Sequence, residues 1–134
     1  MTEQGTDVVV CVPVGDGRQV DHSWGKATVV ATVTVRDGAV VGWAEDEVGW
    51  DVLHDQGEHG SHHARIARFL LGKGAHAVVA SHMGPPMAHM LGKMGLIVAV
   101  GASGDAEAAA VQVAGRVTGA VPPVEPSPDD LLGC

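Results

Sequence analysis

Eight histidines in 134 residues are the part of this chain best suited to chemistry. They stand at His22, His54, His59, His62, His63, His76, His82 and His89. Neutral imidazole is the commonest metal-binding side chain. It binds only when deprotonated, so affinity carried by histidine should fall as pH drops through about 6.5. Glu58, His59 and His62 fall at i, i+1 and i+4, and His59 and His63 are four apart. A helix that starts early would put such a pair on one face, where two imidazoles can chelate. The thioethers of Met83, Met87 and Met90 are soft donors that favour Cu(I). The plainer reading of each methionine is core packing, and of any single histidine, solvated surface. Cys11 sits inside an apolar run and reads as an inert buried residue, while Cys134 lies in the tail. These are the only two cysteines and they form no CxxC pair, so one chain cannot build a thiolate zinc site or a cysteine-held iron–sulfur cluster.

The elements that would position these side chains are legible from pattern. Residues 7–14, DVVVCVPV, form a β-branched run that ends at Gly15, which suits a buried central strand. A polar loop over 15–25 carries His22 and Trp24; Trp24 could wall a crevice or pack beneath it. Strands are expected over 27–35 and 39–48, joined at Asp37-Gly38, a dipeptide that readily supplies positive φ. An acidic loop over 49–60 follows, then a helix over 61–71 that ends at Gly72 and Gly74. A buried strand over 75–80 leads into Ser81-His82-Met83-Gly84-Pro85-Pro86, and the prolines suit the first turn of a helix over 87–93. A short strand over 96–100 and an Ala-rich helix over 105–117 complete a β-β-β-α-β-α-β-α order. That order predicts an α/β fold with a mixed five-stranded sheet, strands one, four and five parallel, and helices on the faces. We read residues 1–117 as one domain and the Pro-rich, acidic stretch 118–134 as a disordered tail.

Topology then sorts the histidines. The loops holding His22, His54 and His59, the start of the helix with His62 and His63, and the end of strand four with His82 all fall at the carboxyl edge of the parallel strands. Open α/β sheets bind ligands there. His76 falls at the opposite edge and makes a poor ligand. The expected metal ligands are His22, His59, His62 and His82, with His54 and Met83 in reserve.

Charge narrows the partners. Lys and Arg total 8 against 16 Asp and Glu, a formal net charge of −8, and such a surface repels phosphate backbones. We therefore expect no nucleic-acid partner. No apolar run approaches the ~20 residues of a membrane span, and no signal peptide is evident, so the expectation is a cytoplasmic protein with no membrane contact. Gly15-Asp16-Gly17 and Gly101-Ala102-Ser103-Gly104 fit neither nucleotide-binding glycine pattern, and no catalytic triad can be argued from spacing.

Four blocks of sequence together resemble a known family. They are the opening strand VVVCVPV, Asp21-His22-Ser23-Trp24-Gly25-Lys26-Ala27, Gly57-Glu58-His59-Gly60, and Ala77-Val78-Val79-Ala80-Ser81-His82-Met83-Gly84-Pro85. The chain over about 8–117 is similar to the dinitrogenase iron–molybdenum cofactor biosynthesis domain. The resemblance implies a ribonuclease-H-like fold and a role as carrier of nitrogenase cofactor precursors or other metal clusters. The residues expected to contact the cargo are Trp24, Glu58, Met83 and Gly84. Where the family often has His-Phe-Gly, this chain has Ser23-Trp24-Gly25, and where it often has Gly-Gly, this chain has Ser81-His82. The added imidazoles imply a mononuclear metal or a different cluster.

Three readings follow. The leading one is a metal or metal-cluster carrier, with copper or zinc favoured on ligand softness, or a metal–sulfur cluster, and with a recipient protein as partner. The second is a metal-dependent enzyme in which a His-bound metal activates water and Glu58 acts as base. The third is a metal-free binding module whose histidines sense pH. Oligomerisation stays open in all three.

Overall fold

A computed structural model describes residues 7–53, 59–117 and 121–126, without the side chains of 59–61. His54, Glu58 and Cys134 lie outside the described residues. The elements are β1 (Val8–Val14), β2 (Val29–Arg36), β3 (Ala39–Glu47), α1 (Trp50–Leu53), α2 (His59–Lys73), β4 (Ala77–Val79), α3 (Pro85–Lys93), β5 (Ile97–Ala99) and α4 (Ala106–Ala114). They form one five-stranded sheet in the order β3-β2-β1-β4-β5. The pairs β1–β2 and β2–β3 are antiparallel, and β1–β4 and β4–β5 are parallel. The expected mixed sheet is therefore present.

Alternation along β1 explains why this strand is central. Val10, Val12 and Val14 pack on one face with Ala31, Val33, Val79 and the α4 residues Ala106, Ala110 and Val113. Cys11 points to the other face, among Val30, Val78 and the α2 and α3 residues Ile66, Leu70, Met90 and Leu91. A strand buried on both faces must be apolar throughout, which is what VVVCVPV supplies. The β2–β3 hairpin turns on Asp37 at φ 53° and Gly38 at φ 79°, the two positive-φ positions of a primed turn. The Asp105 carboxylate caps α4 by accepting the Ala108 N–H at 2.9 Å.

Three local expectations are corrected. A short helix, α1, occupies part of the stretch read as loop, so the described residues hold four α-helices rather than three. Gly49 at φ 61° turns the chain after β3, and the Trp50 N–H donates to the Ala27 carbonyl at 2.8 Å. Trp50 is then buried between Trp24 and Phe69, at centroid distances of 5.2 and 5.5 Å. Aromatic burial, not helix propensity, holds this short turn of helix. Secondly, α2 begins at His59 and runs through Gly72 to Lys73, so only Gly74, at φ 66°, ends it. Thirdly, β4 and β5 are three residues each, shorter than their apolar runs, because the chain leaves the ladder at Ala80 and Val100. In the tail, the Val124 N–H donates to the Met94 carbonyl at 3.0 Å, just past the end of α3.

His76 has a structural task at the amino end of β4. Its Nδ1 accepts the Val9 N–H at 2.9 Å, and its backbone N–H donates to the Val9 carbonyl at 2.8 Å. Partial burial holds its pKa below the ordinary histidine value. A lowered folded-state pKa means the neutral ring stabilises the fold above about pH 6.5, and that this contribution is lost as pH falls through the folded pKa. Protonation also removes the acceptor that Val9 needs. His76→Ala is expected to cost about 1 kcal/mol at pH 7.5. It should also flatten the pH dependence of stability below about pH 6.5, as measured by urea unfolding at a series of pH values.

Candidate functional site

The pocket lies at the carboxyl edge of β1 and β4. Its walls come from the loop after β1 (His22, Ser23, Gly25, Lys26), the first turn of α2 (His62, His63), and the turn from β4 into α3 (His82, Met83, Gly84, Pro86, Met87). Its volume is about 530 Å³. That is the scale of a site for a multi-atom ligand and far more than one ion fills.

Backbone contacts hold the two loops together. The Trp24 N–H donates to the His82 carbonyl at 3.2 Å, and Ser23 bridges His82 in parallel register. His22 and His82, both exposed, are thereby brought to the same pocket. Beneath this turn Trp24 is fully buried, edge-on to Trp50 at 71°. Among the described residues its indole N–H has no hydrogen-bond partner. Trp24 therefore supports the pocket from below and contributes none of its lining.

On the α2 side, His62 is 4% exposed and tied at both ring nitrogens. Nε2 lies 2.9 Å from the Gly25 carbonyl oxygen, and Nδ1 lies 2.8 Å from Arg65 Nη1. A guanidinium only donates, so Nδ1 must accept, and the ring proton sits on Nε2 and is donated to Gly25. His62 thus fastens α2 to the loop that carries Lys26. His63, also buried, lines the pocket beside it.

Of the expected ligands, His22, His62 and His82 line one pocket, with Met83 and Gly84. His59 opens α2, with its side chain outside the described residues. Among the described residues no three His, Cys, Asp or Glu side chains gather closely enough to share a metal ion. The sequence analysis named His63 and Met87 as donors without placing them among the expected ligands, and it did not select Lys26 or Pro86 for the site. The Met83–Met87 spacing and the Lys26 that follows Gly25 were the available signals, but each suits an ordinary surface or core residue equally well. Cys11 is remote from this chemistry: burial pushes its thiol up to about 12, so it stays protonated.

The electrostatics of the pocket differ from those of the chain. The formal net charge is −8, yet among the described residues the lining holds four histidines, one lysine and no carboxylate. The amino-terminal ends of α2 and α3 contribute His62, His63, Pro86 and Met87, so two helix dipoles add positive potential. Such a site suits a soft or anionic ligand over a hard cation, which would require oxygen donors.

A mixed five-stranded α/β sheet with a ligand-sized pocket at its carboxyl edge thus defines the class of protein. Residues 6–115 match the dinitrogenase iron-molybdenum cofactor family, and the chain belongs to it. Among solved structures, PH0822 is 20% identical with a TM-score of 0.63, over 81% of this chain and 90% of that one. The apo form of the orange protein from Desulfovibrio gigas is 24% identical with a TM-score of 0.55, over 87% and 96%. A protein from Methanocaldococcus jannaschii described as a candidate dinitrogenase is 10% identical with a TM-score of 0.57, over 91% and 99%. At these identities the likeness is one of fold. No curated protein matches the chain.

Proposed function

We propose that this protein carries a metal–sulfur cluster in the pocket and delivers it to a recipient protein. The observation that carries the reading is the lining itself: imidazoles, two thioethers and Lys26, with no carboxylate among the described residues, in a strongly acidic chain. Metal–sulfur clusters are commonly anionic, and a pocket of this size and sign suits one. Family membership points the same way through the iron–molybdenum cofactor of its description. His22 and His82 at the exposed side and Met83 and Met87 on the buried side would bind the cargo, with Lys26 balancing its charge.

A single copper or zinc ion is the weaker reading. Among the described residues no three suitable side chains converge, so it would have to recruit His54 or His59. The strand order, with β2 alone running against the other four, supports the ribonuclease-H-like assignment. Among the described residues no helix is long and apolar enough to cross a membrane, and a cytoplasmic location is part of this proposal.

The test uses tetrathiomolybdate, a simple metal–sulfide anion. Anaerobic incubation followed by gel filtration is expected to leave stoichiometric molybdenum on the protein, with visible absorbance. Stoichiometric zinc with no molybdenum would favour the single-ion reading. Retention of neither would overturn the carrier function.

A further inference from the structure

We propose that Arg65 controls whether His62 can coordinate the cargo. This rests on the reading that the pocket carries metal, and it adds a positioning residue that does not itself line the pocket.

Arg65 Nη1 lies 2.8 Å from His62 Nδ1, and His62 Nε2 lies 2.9 Å from the Gly25 carbonyl oxygen. Because Arg65 can only donate, Nδ1 must present its lone pair, and Nε2 carries the proton. Two routes to coordination exist for a neutral imidazole. If Nδ1 takes the metal, the metal displaces Arg65 directly. If Nε2 takes the metal, the proton must move to Nδ1, where N–H would face N–H. Arg65 must withdraw in either case. With Nδ1 on the metal, the Nε2–H bond to Gly25 persists as the second hydrogen bond that commonly orients a ligating imidazole.

The consequence is a graded site. His22 and His82 are exposed and stand ready, whereas His62 is buried and its lone pair is held by a cation. Cargo that engages only the two exposed imidazoles leaves Arg65 in place. Cargo that reaches His62 moves Arg65 off the ring, at the cost of a hydrogen bond from a charged donor.

Zinc ion serves as the probe, because it binds imidazole without the charge pairing expected of an anionic cluster. Affinity is measured by chelator competition at pH 7.5 on wild type, Arg65→Gln, Arg65→Lys, His62→Ala and the His62→Ala/Arg65→Gln double variant. Long-range ¹H–¹⁵N spectra follow the His62 ring nitrogens. Gln can accept as well as donate, so Arg65→Gln is expected to bind zinc about tenfold more tightly than wild type, with a metal shift on a His62 nitrogen. Lys only donates, so Arg65→Lys should stay close to wild type. The gain should vanish in the double variant. An equal gain in Arg65→Lys, no gain in Arg65→Gln, or a gain that survives loss of His62 overturns the role of Arg65. Should Arg65→Gln fail to fold, Arg65→Met, which offers no donor, carries the same expectation. Binding by wild type without a gain defeats this inference alone. Absence of both zinc and tetrathiomolybdate binding across the set defeats the carrier reading with it.

Discussion

Replacing His82 with alanine is expected to lower tetrathiomolybdate affinity at least tenfold, a loss of about 1.4 kcal/mol or more, while leaving the fold intact. His82 is exposed at the pocket, so truncation opens no core cavity. What His82 gives to the architecture is its backbone: its carbonyl accepts the Trp24 N–H at 3.2 Å, and alanine keeps that bond. Lost binding at unchanged unfolding midpoint therefore reports on the imidazole itself. His62→Ala should weaken binding less, through the loop it fastens, and with a stability cost, because it releases the Gly25 carbonyl and Arg65 together. The control is His76→Ala, at the opposite sheet edge, which should bind normally despite its weaker fold. Equilibrium titration of the three variants beside circular dichroism separates these effects. Normal binding by His82→Ala together with lost binding by His76→Ala would put the cargo at the wrong edge of the sheet and sink the placement of the site.

Trp24→Ala is expected to be the most damaging single truncation, costing about 3–5 kcal/mol. The ring is fully buried and stacks edge-on against Trp50, which in turn meets Phe69 at 5.5 Å. Removal leaves a large cavity under the loop of Ser23, Gly25 and Lys26. Domains of this size have only about 5–15 kcal/mol to lose, so the variant should be partly unfolded near physiological temperature and should not hold cargo. Trp24→Phe should cost much less. It keeps an aromatic ring in the cluster and removes an indole N–H that is buried without a partner among the described residues, a group whose burial is itself unfavourable by about 1–3 kcal/mol. Denaturant midpoints of the two variants check the pair; equal losses would mean that the ring contacts contribute little.

Much of this architecture is legible in the order of residues along the chain. β1 can be read because a strand covered on both faces has to be apolar at every position, and residues 8–14 are. The hairpin can be read because few dipeptides other than Asp-Gly tolerate two consecutive positive φ angles. Once strand order is known, chain direction alone assigns His22, His62 and His82 to one edge and His76 to the other. The short helix Trp50–Leu53 is hidden, because no local pattern shows that Trp50 will find Trp24 and Phe69.

The site divides along the same line. Residue type and order determined that imidazoles and thioethers would collect at the carboxyl edge of the sheet, since both follow from chain direction and a two-residue turn. Tertiary structure alone decided which lone pairs those imidazoles can offer. His62 meets a carbonyl 37 residues away, and His76 takes up an amide 67 residues away. Neither partner leaves a mark in local sequence, because a backbone N–H or C=O is the same at every position, and only the packing of α2 and β4 against β1 and its loop selects which one each ring will meet.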